Sequence, residues 1–101
     1  MKKKLISIFT PVYNEEKNIY SIYDKVKKEM SKIQKKYHYE HIFSDNASGD
    51  NSLNILKGIQ KKDQNVKIIS LSKNFGVTKS TLNGLFKCSG DAVVQLDADL
   101  Q

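Results

Sequence analysis

Two aspartates near the end of the sequence, Asp97 and Asp99, have a spacing suited to a metal site. They follow an apolar run, Ala92 to Leu96, that is typical of a buried strand. Residues i and i+2 of an extended segment point to the same side, so both carboxylates could hold one hard cation and the phosphates bridged to it. An ordinary turn after the strand is the alternative interpretation.

Three further carboxylates, those of Glu15, Glu16 and Asp45, follow two other apolar runs. If the ends of these runs meet, five carboxylates gather in a chain whose net charge is +6. Crowded carboxylates repel each other unless a cation joins them. This pattern predicts a magnesium or manganese ion with oxygen ligands and a phosphorylated ligand. The alternatives are a charged first helical turn for the glutamates and a local turn for Asp45.

Four apolar runs alternate with three amphipathic segments along the chain. The runs predict strands at 5–10, 39–44, 66–71 and 92–96, and three- and four-residue periodicity predicts helices at about 15–36, 51–62 and 77–88. Pro11 is expected to end the first strand, His41 to weaken the second, and Asp50 to cap the second helix.

This alternation predicts an α/β fold, a Rossmann-like three-layer sandwich with a parallel sheet of about four strands and helices on both faces. We expect the strand order 3-2-1-4, which reverses between strands 1 and 4. Ligands of open α/β sheets bind at such a switch point, beyond the carboxyl ends of the strands. The candidate residues therefore belong to one edge of the sheet.

Composition excludes several function classes. The 101 residues fit one domain, and 39% hydrophobic residues indicate a globular chain. The single Cys88 excludes an internal disulfide, and with the two histidines it makes no spaced zinc motif. All seventeen basic residues are lysines, which disfavours sequence-specific nucleic-acid recognition, so we expect no nucleic-acid partner. The lysines are interpreted as a solvated face, with attraction to phosphorylated ligands or an anionic membrane as the alternative.

Four segments in order resemble the family 2 glycosyltransferases, which have the GT-A fold. The segments are PVYNEE at 11–16, SDNASGD at 44–50, NFG at 74–76, and GDA at 90–92 followed by DADLQ at 97–101. The resemblance covers nearly the whole chain and is greatest to the polyprenyl-phosphate branch, which includes dolichyl-phosphate mannose synthase.

The resemblance implies one site for a nucleotide-linked sugar. Pro11, Tyr13 and Glu15 would line the nucleoside pocket, and Asp45 and Asn46 would face the base. Many relatives have a second aspartate where this chain has Asn46; the amide can accept a hydrogen bond but adds no charge. Further candidates for this pocket are Asn14 and Lys73.

The metal and the donor diphosphate are assigned by the same resemblance to Asp97 and Asp99, with Gln101 as a further metal contact. The metal would be Mn²⁺ or Mg²⁺. Family domains are longer, so residues 1–101 are interpreted as the nucleotide-sugar-binding half of a truncated GT-A fold. The acceptor half and the catalytic base would lie elsewhere, and we expect the fragment alone to bind its ligands without transferring a sugar.

The parent enzyme implied by the resemblance transfers a sugar from a UDP- or GDP-linked donor to a polyprenyl phosphate or a cell-surface glycan. It would act in the cytoplasm, at the cytoplasmic face of the membrane. Because strand 4 would be an apolar edge, we also expect the chain to self-associate through it.

Two other function classes remain as alternatives. A non-catalytic nucleotide-binding or regulatory module would bind nucleotide without metal. A response-regulator receiver would need an aspartate after strand 3, where this chain has Ser70, Leu71, Ser72 and Lys73, so the receiver is disfavoured.

Overall fold

The computed structural model describes residues 3–71 and 88–98 as an α/β unit. Its elements, in chain order, are β1 (Lys4–Val12), α1 (Ile19–Ser31), β2 (Tyr37–Asp45), α2 (Ser52–Lys62), β3 (Val66–Ser70) and β4 (Ala92–Gln95). The predicted turn at 74–76 and almost all of the helix predicted at 77–88 lie outside the described residues. Within the described ranges, neither helix is long and apolar enough to cross a membrane.

The strands form one parallel sheet in the order β3-β2-β1-β4, which confirms the predicted order. Ile8 of β1 lies opposite His41 of β2 on one side and Val94 of β4 on the other. The order reverses between β1 and β4, so the switch point lies where the sequence predicts it.

The core forms where α1 and α2 pack against the same face of the sheet. The apolar residues of α1 recur at three- and four-residue steps and are buried, as predicted, because that spacing places them on one side of a helix. The buried members of this core are Ile8, Val12, Ile19, Ile22, Val26, Met30, Phe43, Leu56, Ile59 and Val66. Helices on both faces would require the segment at 77–88, which lies outside the described residues.

β1 continues through Pro11 to Val12, so the prediction that Pro11 ends the strand is wrong. Along a parallel strand, successive residues direct their N–H and C=O groups to opposite neighbours. The Phe9 carbonyl accepts a hydrogen bond from the β4 side at 2.9 Å, which places the Pro11 nitrogen on that side too. Because β4 ends at Gln95, opposite Phe9, no described strand lies beside Pro11 there, and its missing N–H costs no ladder bond.

Helix α1 is shorter at both ends than the predicted 15–36. Glu15 and Glu16 precede the helix, so the alternative that places them in its first turn is wrong. Their backbone N–H groups donate to the side chains of Ser52 and Asp50, at 3.0 and 3.2 Å, which holds both residues in the loop. Two side chains from a distant segment thus bind the residues that precede the helix.

Helix α2 begins one residue later than predicted, at Ser52. Its N-cap position is Asn51, whose side chain makes no capping hydrogen bond. The Asp50 carboxylate accepts the Ser52 N–H at 2.9 Å. The prediction that Asp50 is the cap of this helix is therefore wrong in position, since Asp50 lies one residue before the N-cap, although its carboxylate does accept a backbone N–H of the first turn.

His41 lies inside β2, which extends over 37–45 and not only 39–44, so the prediction that it weakens the strand is wrong. Its ring stacks on Phe43 with centroids 3.9 Å apart, and its Nε2 lies 2.9 Å from the Thr10 hydroxyl. The imidazole is 1% exposed, and this burial lowers its pKa to about 3. A neutral imidazole therefore behaves here as an aromatic core residue.

A buried carboxylate, that of Glu40 in β2, joins β1, β3 and the segment before β4 on the sheet face opposite the α1–α2 core. It accepts hydrogen bonds from the Ser7 hydroxyl of β1, from Lys67 Nζ of β3 at 2.6 Å and from the Ser89 N–H, just before β4, at 2.9 Å. Burial opposes ionisation, but the hydrogen bonds from Lys67, Ser7 and Ser89 outweigh it and lower the Glu40 pKa to about 2.

Gly90 allows the segment before β4 to approach β1. Its N–H donates to the Ser7 hydroxyl at 2.8 Å. A Cβ at this position would lie 2.7 Å from the Ser7 backbone nitrogen and 2.9 Å from the Ala92 carbonyl, closer than real contacts allow. The close approach therefore requires glycine.

We expect Glu40→Ala to lower the free energy of unfolding by about 3 kcal/mol, because it leaves the buried Ser7 hydroxyl, the Lys67 ammonium and the Ser89 N–H without their shared acceptor. The matched control is Glu29→Ala, which removes an exposed ion pair with Lys32 and should cost less than about 1 kcal/mol. Urea unfolding at pH 7 measures both. Equal losses in the two variants would contradict the structural role of Glu40.

Stability should also fall in mild acid because of His41. Its folded pKa lies below the ordinary value of 6.5, so the unfolded chain takes up the proton first. The contribution is complete above pH 6.5 and is lost as the pH falls toward 3. Between pH 7.5 and 5, we expect a loss of about 2 kcal/mol in the free energy of unfolding.

The same measurement on His41→Gln should show a smaller pH dependence, whereas His38→Gln, at an exposed histidine, should behave as the wild type. An unchanged dependence in His41→Gln would contradict this assignment.

Candidate functional site

The segments that follow β1, β2 and β4 lie at the carboxyl edge of the sheet. Two hydrogen bonds fix this edge: the Val12 carbonyl accepts the Asn46 N–H at 2.8 Å, and the Asp45 carbonyl accepts the Leu71 N–H at 3.0 Å. Asp97 follows β4 two residues after its last strand residue. The described part of the chain thus brings the polar segments 13–16, 45–50 and 97 to one edge.

Asp45 is the most constrained of the candidate residues, at 2% exposed. Its Oδ2 accepts the Ser48 N–H at 3.2 Å. Its Oδ1 has no hydrogen-bond partner within 3–71 and 88–98, although a buried carboxylate oxygen normally has one. This oxygen can accept a hydrogen bond from a ligand donor. Asn46 is also nearly buried, at 7% exposed.

The loop after β1 presents the other predicted pocket residues. Tyr13 is 50% exposed, which leaves its ring accessible, and Pro11 is partly buried at the end of β1. Glu15 is also partly buried, and its carboxylate accepts the Asn18 side-chain N–H at 2.8 Å. The exposed Asn14 has a φ of 53°, a left-handed conformation that asparagine tolerates better than most residues.

Polar side chains of the loop after β2 hold the loop after β1. The Ser48 hydroxyl accepts the Asn14 N–H at 2.9 Å, and the Ser52 hydroxyl accepts the Glu15 N–H at 3.0 Å. Although desolvation opposes it, hydrogen bonds from Ser52 and Glu16 lower the pKa of Asp50. Sequence reasoning missed both serines, because a serine at a helix start or in a turn has the same local signature whether or not it contacts a distant loop.

Asp97 is exposed at the end of β4, and no described ion pair involves it. Within the described residues, no group of three or more histidine, cysteine, aspartate or glutamate side chains could hold a metal. The predicted partners Asp99 and Gln101 lie outside those residues, as does Lys73. An accessible carboxylate at this edge fits a hard divalent cation, which prefers oxygen ligands.

Comparison with known proteins identifies the family. The sequence model of the family described as Glycosyl transferase family 2 matches residues 7–101. The uncharacterized glycosyltransferase YkcC of Bacillus subtilis is 42% identical over 95 residues, which are 94% of this chain and 29% of that protein. An undecaprenyl-phosphate 4-deoxy-4-formamido-L-arabinose transferase of Pseudomonas fluorescens is 35% identical over 99 residues, covering 97% of this chain and 29% of that enzyme.

Solved structures agree with the fold. S. aureus TarS in complex with UDP-GlcNAc superposes with a TM-score of 0.74 at 27% identity, covering 97% of this chain and 27% of that one. The mannosyltransferase PcManGT from Pyrobaculum calidifontis, in complex with GDP-Man and Mn²⁺, has a TM-score of 0.69 at 19% identity over 98% of this chain and 28% of its own.

The chain therefore spans about three tenths of the length of the relatives it matches. Within that span, the strand order, the polar carboxyl edge and the family match agree with one another. On this evidence, the chain belongs to glycosyl transferase family 2.

Proposed function

We propose that this chain provides the donor-binding part of a glycosyltransferase that takes its sugar from a nucleotide-diphosphate sugar. The observation that carries the proposal is the buried Oδ1 of Asp45, which has no hydrogen-bond partner within residues 3–71 and 88–98. It lies at the carboxyl end of β2, the strand next to β1. A buried acceptor without a partner among the described residues costs free energy that a ligand donor can recover. Family membership makes a nucleotide-linked sugar the natural ligand for this edge.

The nucleoside would lie between the two loops. Asp45 would accept an N–H of the base, with Asn46 beside it, and the accessible ring of Tyr13 would pack against the nucleoside. Pro11 and Glu15 would complete the pocket at the ends of β1 and its loop. The base could be uracil or guanine, since the TarS and PcManGT structures contain UDP-GlcNAc and GDP-Man respectively.

Asp97 and Asp99, with Gln101, would hold the divalent metal, Mn²⁺ or Mg²⁺, and through it the donor diphosphate. A bound metal supplies Lewis-acid stabilisation of the departing diphosphate. The exposed position of Asp97 leaves its carboxylate accessible from solvent for this purpose.

The acceptor we propose is a polyprenyl phosphate, on the basis of the Pseudomonas fluorescens relative and its name. The reaction would occur at the cytoplasmic face of a membrane. An ionised phosphate acceptor needs little activation, so the donor half requires no general base of its own. We assign no catalytic base to this chain and expect no sugar transfer from residues 1–101 alone.

A second proposal concerns the edge strand β4, through which the 101-residue chain would self-associate. Val93 and Val94 are 42% and 43% exposed on the outermost described strand of that side. Beside Val94 is a groove of about 330 Å³ between α1 and the sheet. Its apolar lining consists of Ile8, Ile22, Val26, Met30 and Leu96. An apolar edge of this kind pairs with the same edge of a second copy.

Calorimetric titration tests the donor site. UDP or GDP should bind in the presence of Mn²⁺ and lose most affinity without it, and Asp99→Ala should abolish the metal effect. Asp45→Asn should weaken binding about tenfold, because it replaces a charged acceptor of the base N–H with a neutral one. Asp24→Asn, an exposed carboxylate of α1 paired with Lys28, is the matched control and should bind as the wild type.

Nucleotide binding that does not depend on metal would favour the non-catalytic nucleotide-binding module instead. Failure of the wild type to bind either nucleotide would contradict the proposal.

Light scattering over a range of concentrations tests the edge. The wild type should show a mass that increases with concentration, and Val94→Lys should remain monomeric because a charge on the edge opposes pairing. Tyr20→Lys is the control, since Tyr20 is an exposed apolar residue of α1 away from the edge. A monomeric wild type at high concentration would contradict self-association.

A further inference from the structure

The two loops of the candidate site are joined by a set of side-chain hydrogen bonds that we call the latch, formed by Asn14, Ser48, Asp50 and Ser52. We infer that the latch positions the nucleoside-binding residues of both loops, and that its members are positioning residues for the donor. This inference rests on the proposed function, because it concerns how the same site is held.

Asn14 forms the first half of the latch. Its Oδ1 accepts the Gly49 N–H at 2.7 Å and the Asp50 N–H at 3.3 Å, and its own N–H donates to the Ser48 hydroxyl at 2.9 Å. Backbone and side chain of one residue thus both reach the other loop. Because its amide oxygen already accepts two hydrogen bonds, we assign Asn14 the role of holding the two loops together.

Asp50 and Ser52 form the second half. One carboxylate oxygen of Asp50 accepts the Glu16 N–H at 3.2 Å, and the other accepts the Ser52 hydroxyl at 2.6 Å. A serine hydroxyl has one proton, so donation to Asp50 leaves a lone pair for the Glu15 N–H, which lies 3.0 Å away. Ser52 is fully buried, which shields this relay from competing water.

The latch connects the two sides of the proposed nucleoside pocket. At one end, Ser48 donates its N–H to Asp45 Oδ2 at 3.2 Å; at the other, Ser52 accepts from Glu15. A nucleoside held between Asp45 and Tyr13 needs a fixed separation of the loops. If the two loops could move independently, binding would have to order them, and the free energy spent on this ordering would weaken the affinity for the nucleoside.

The diphosphate provides a comparison within the same site. Its proposed metal ligands follow β4 in the sequence, whereas the latch residues follow β1 and β2, so loosening the latch should affect the nucleoside and not the diphosphate. A general structural role would weaken both and lower stability as well.

The first experiment measures the Kd of UDP and of inorganic pyrophosphate, each with Mn²⁺, for Ser52→Ala and Asn14→Ala. We expect UDP to bind about tenfold more weakly in either variant, because each removes two side-chain hydrogen bonds of the latch, and pyrophosphate to bind as in the wild type. Asn14→Asp keeps the acceptor oxygen and tolerates the left-handed backbone, so it should restore most of the UDP affinity. The matched control is Asn54→Ala, which removes an exposed hydrogen bond within the α2 region only.

The second experiment needs no nucleotide. Amide hydrogen exchange of the unliganded chain should become faster at Glu15 and Glu16 and also at Ser48 and Gly49 in either alanine variant, because the loops are coupled. Faster exchange confined to the amides that lost their acceptor, Glu15 in Ser52→Ala and Gly49 and Asp50 in Asn14→Ala, would overturn the inference.

Unchanged UDP affinity in Ser52→Ala and Asn14→Ala would overturn the inference while leaving the proposed function intact. Equal weakening of UDP and pyrophosphate, with a lower free energy of unfolding, would also overturn it, since that result indicates a general structural role. If the wild type binds no nucleotide, the proposed function fails instead, and the exchange data still decide whether the loops are coupled.

Discussion

The buried carboxylate of Glu40 is the constraint on which the sheet depends. This carboxylate in β2 accepts hydrogen bonds from both neighbouring strands and from the segment before β4. Ser7, Lys67 and Ser89 bring β1, β3 and the segment before β4 to one ionised group in β2. A charge at this depth is tolerated only because each hydrogen bond favours the ionised form over burial. Leaving this carboxylate unpaired would cost free energy, so the arrangement in which β1, β3 and the segment before β4 surround it is favoured. That arrangement also places β4, which Asp97 follows.

Two buried carboxylates of β2 differ in how fully they are hydrogen-bonded. Toward the amino ends, Glu40 is saturated by its partners and is committed to structure. At the carboxyl edge, the Asp45 carboxylate is equally buried, yet one of its oxygens lacks a partner in the described ranges. Glu40 and Asp45 both belong to β2, so the difference in their hydrogen bonding arises from the residues around them. Glu40 is thus used to hold strands together, whereas Asp45 keeps an acceptor without a partner among the described residues.

Periodicity predicted the alternation of strands and helices and the buried stripe of α1, because both follow from where apolar residues recur. It could not predict the element boundaries at Pro11 and Glu15. Pro11 stays in β1 because β4 is too short for the missing N–H of proline to cost a ladder bond, and the Glu15 N–H is bonded to Ser52 in the loop before α1. Both outcomes depend on residues distant in sequence. His41 fits the core of β2 because its ring stacks on Phe43, two residues along the same strand, and contacts Thr10 of β1.

The segment 44–50 shows why the candidate site could be located from sequence but not divided into roles. It contains two aspartates, and composition alone makes each a turn former or a ligand contact. The structure distinguishes them by saturation. Asp50 accepts hydrogen bonds from Glu16 and twice from Ser52, whereas Asp45 accepts one and keeps Oδ1 available. Asp50 is thus committed to holding the loop, whereas Asp45 keeps an oxygen without a partner among the described residues. Ser44 Oγ, buried in the same segment, also lacks a partner there.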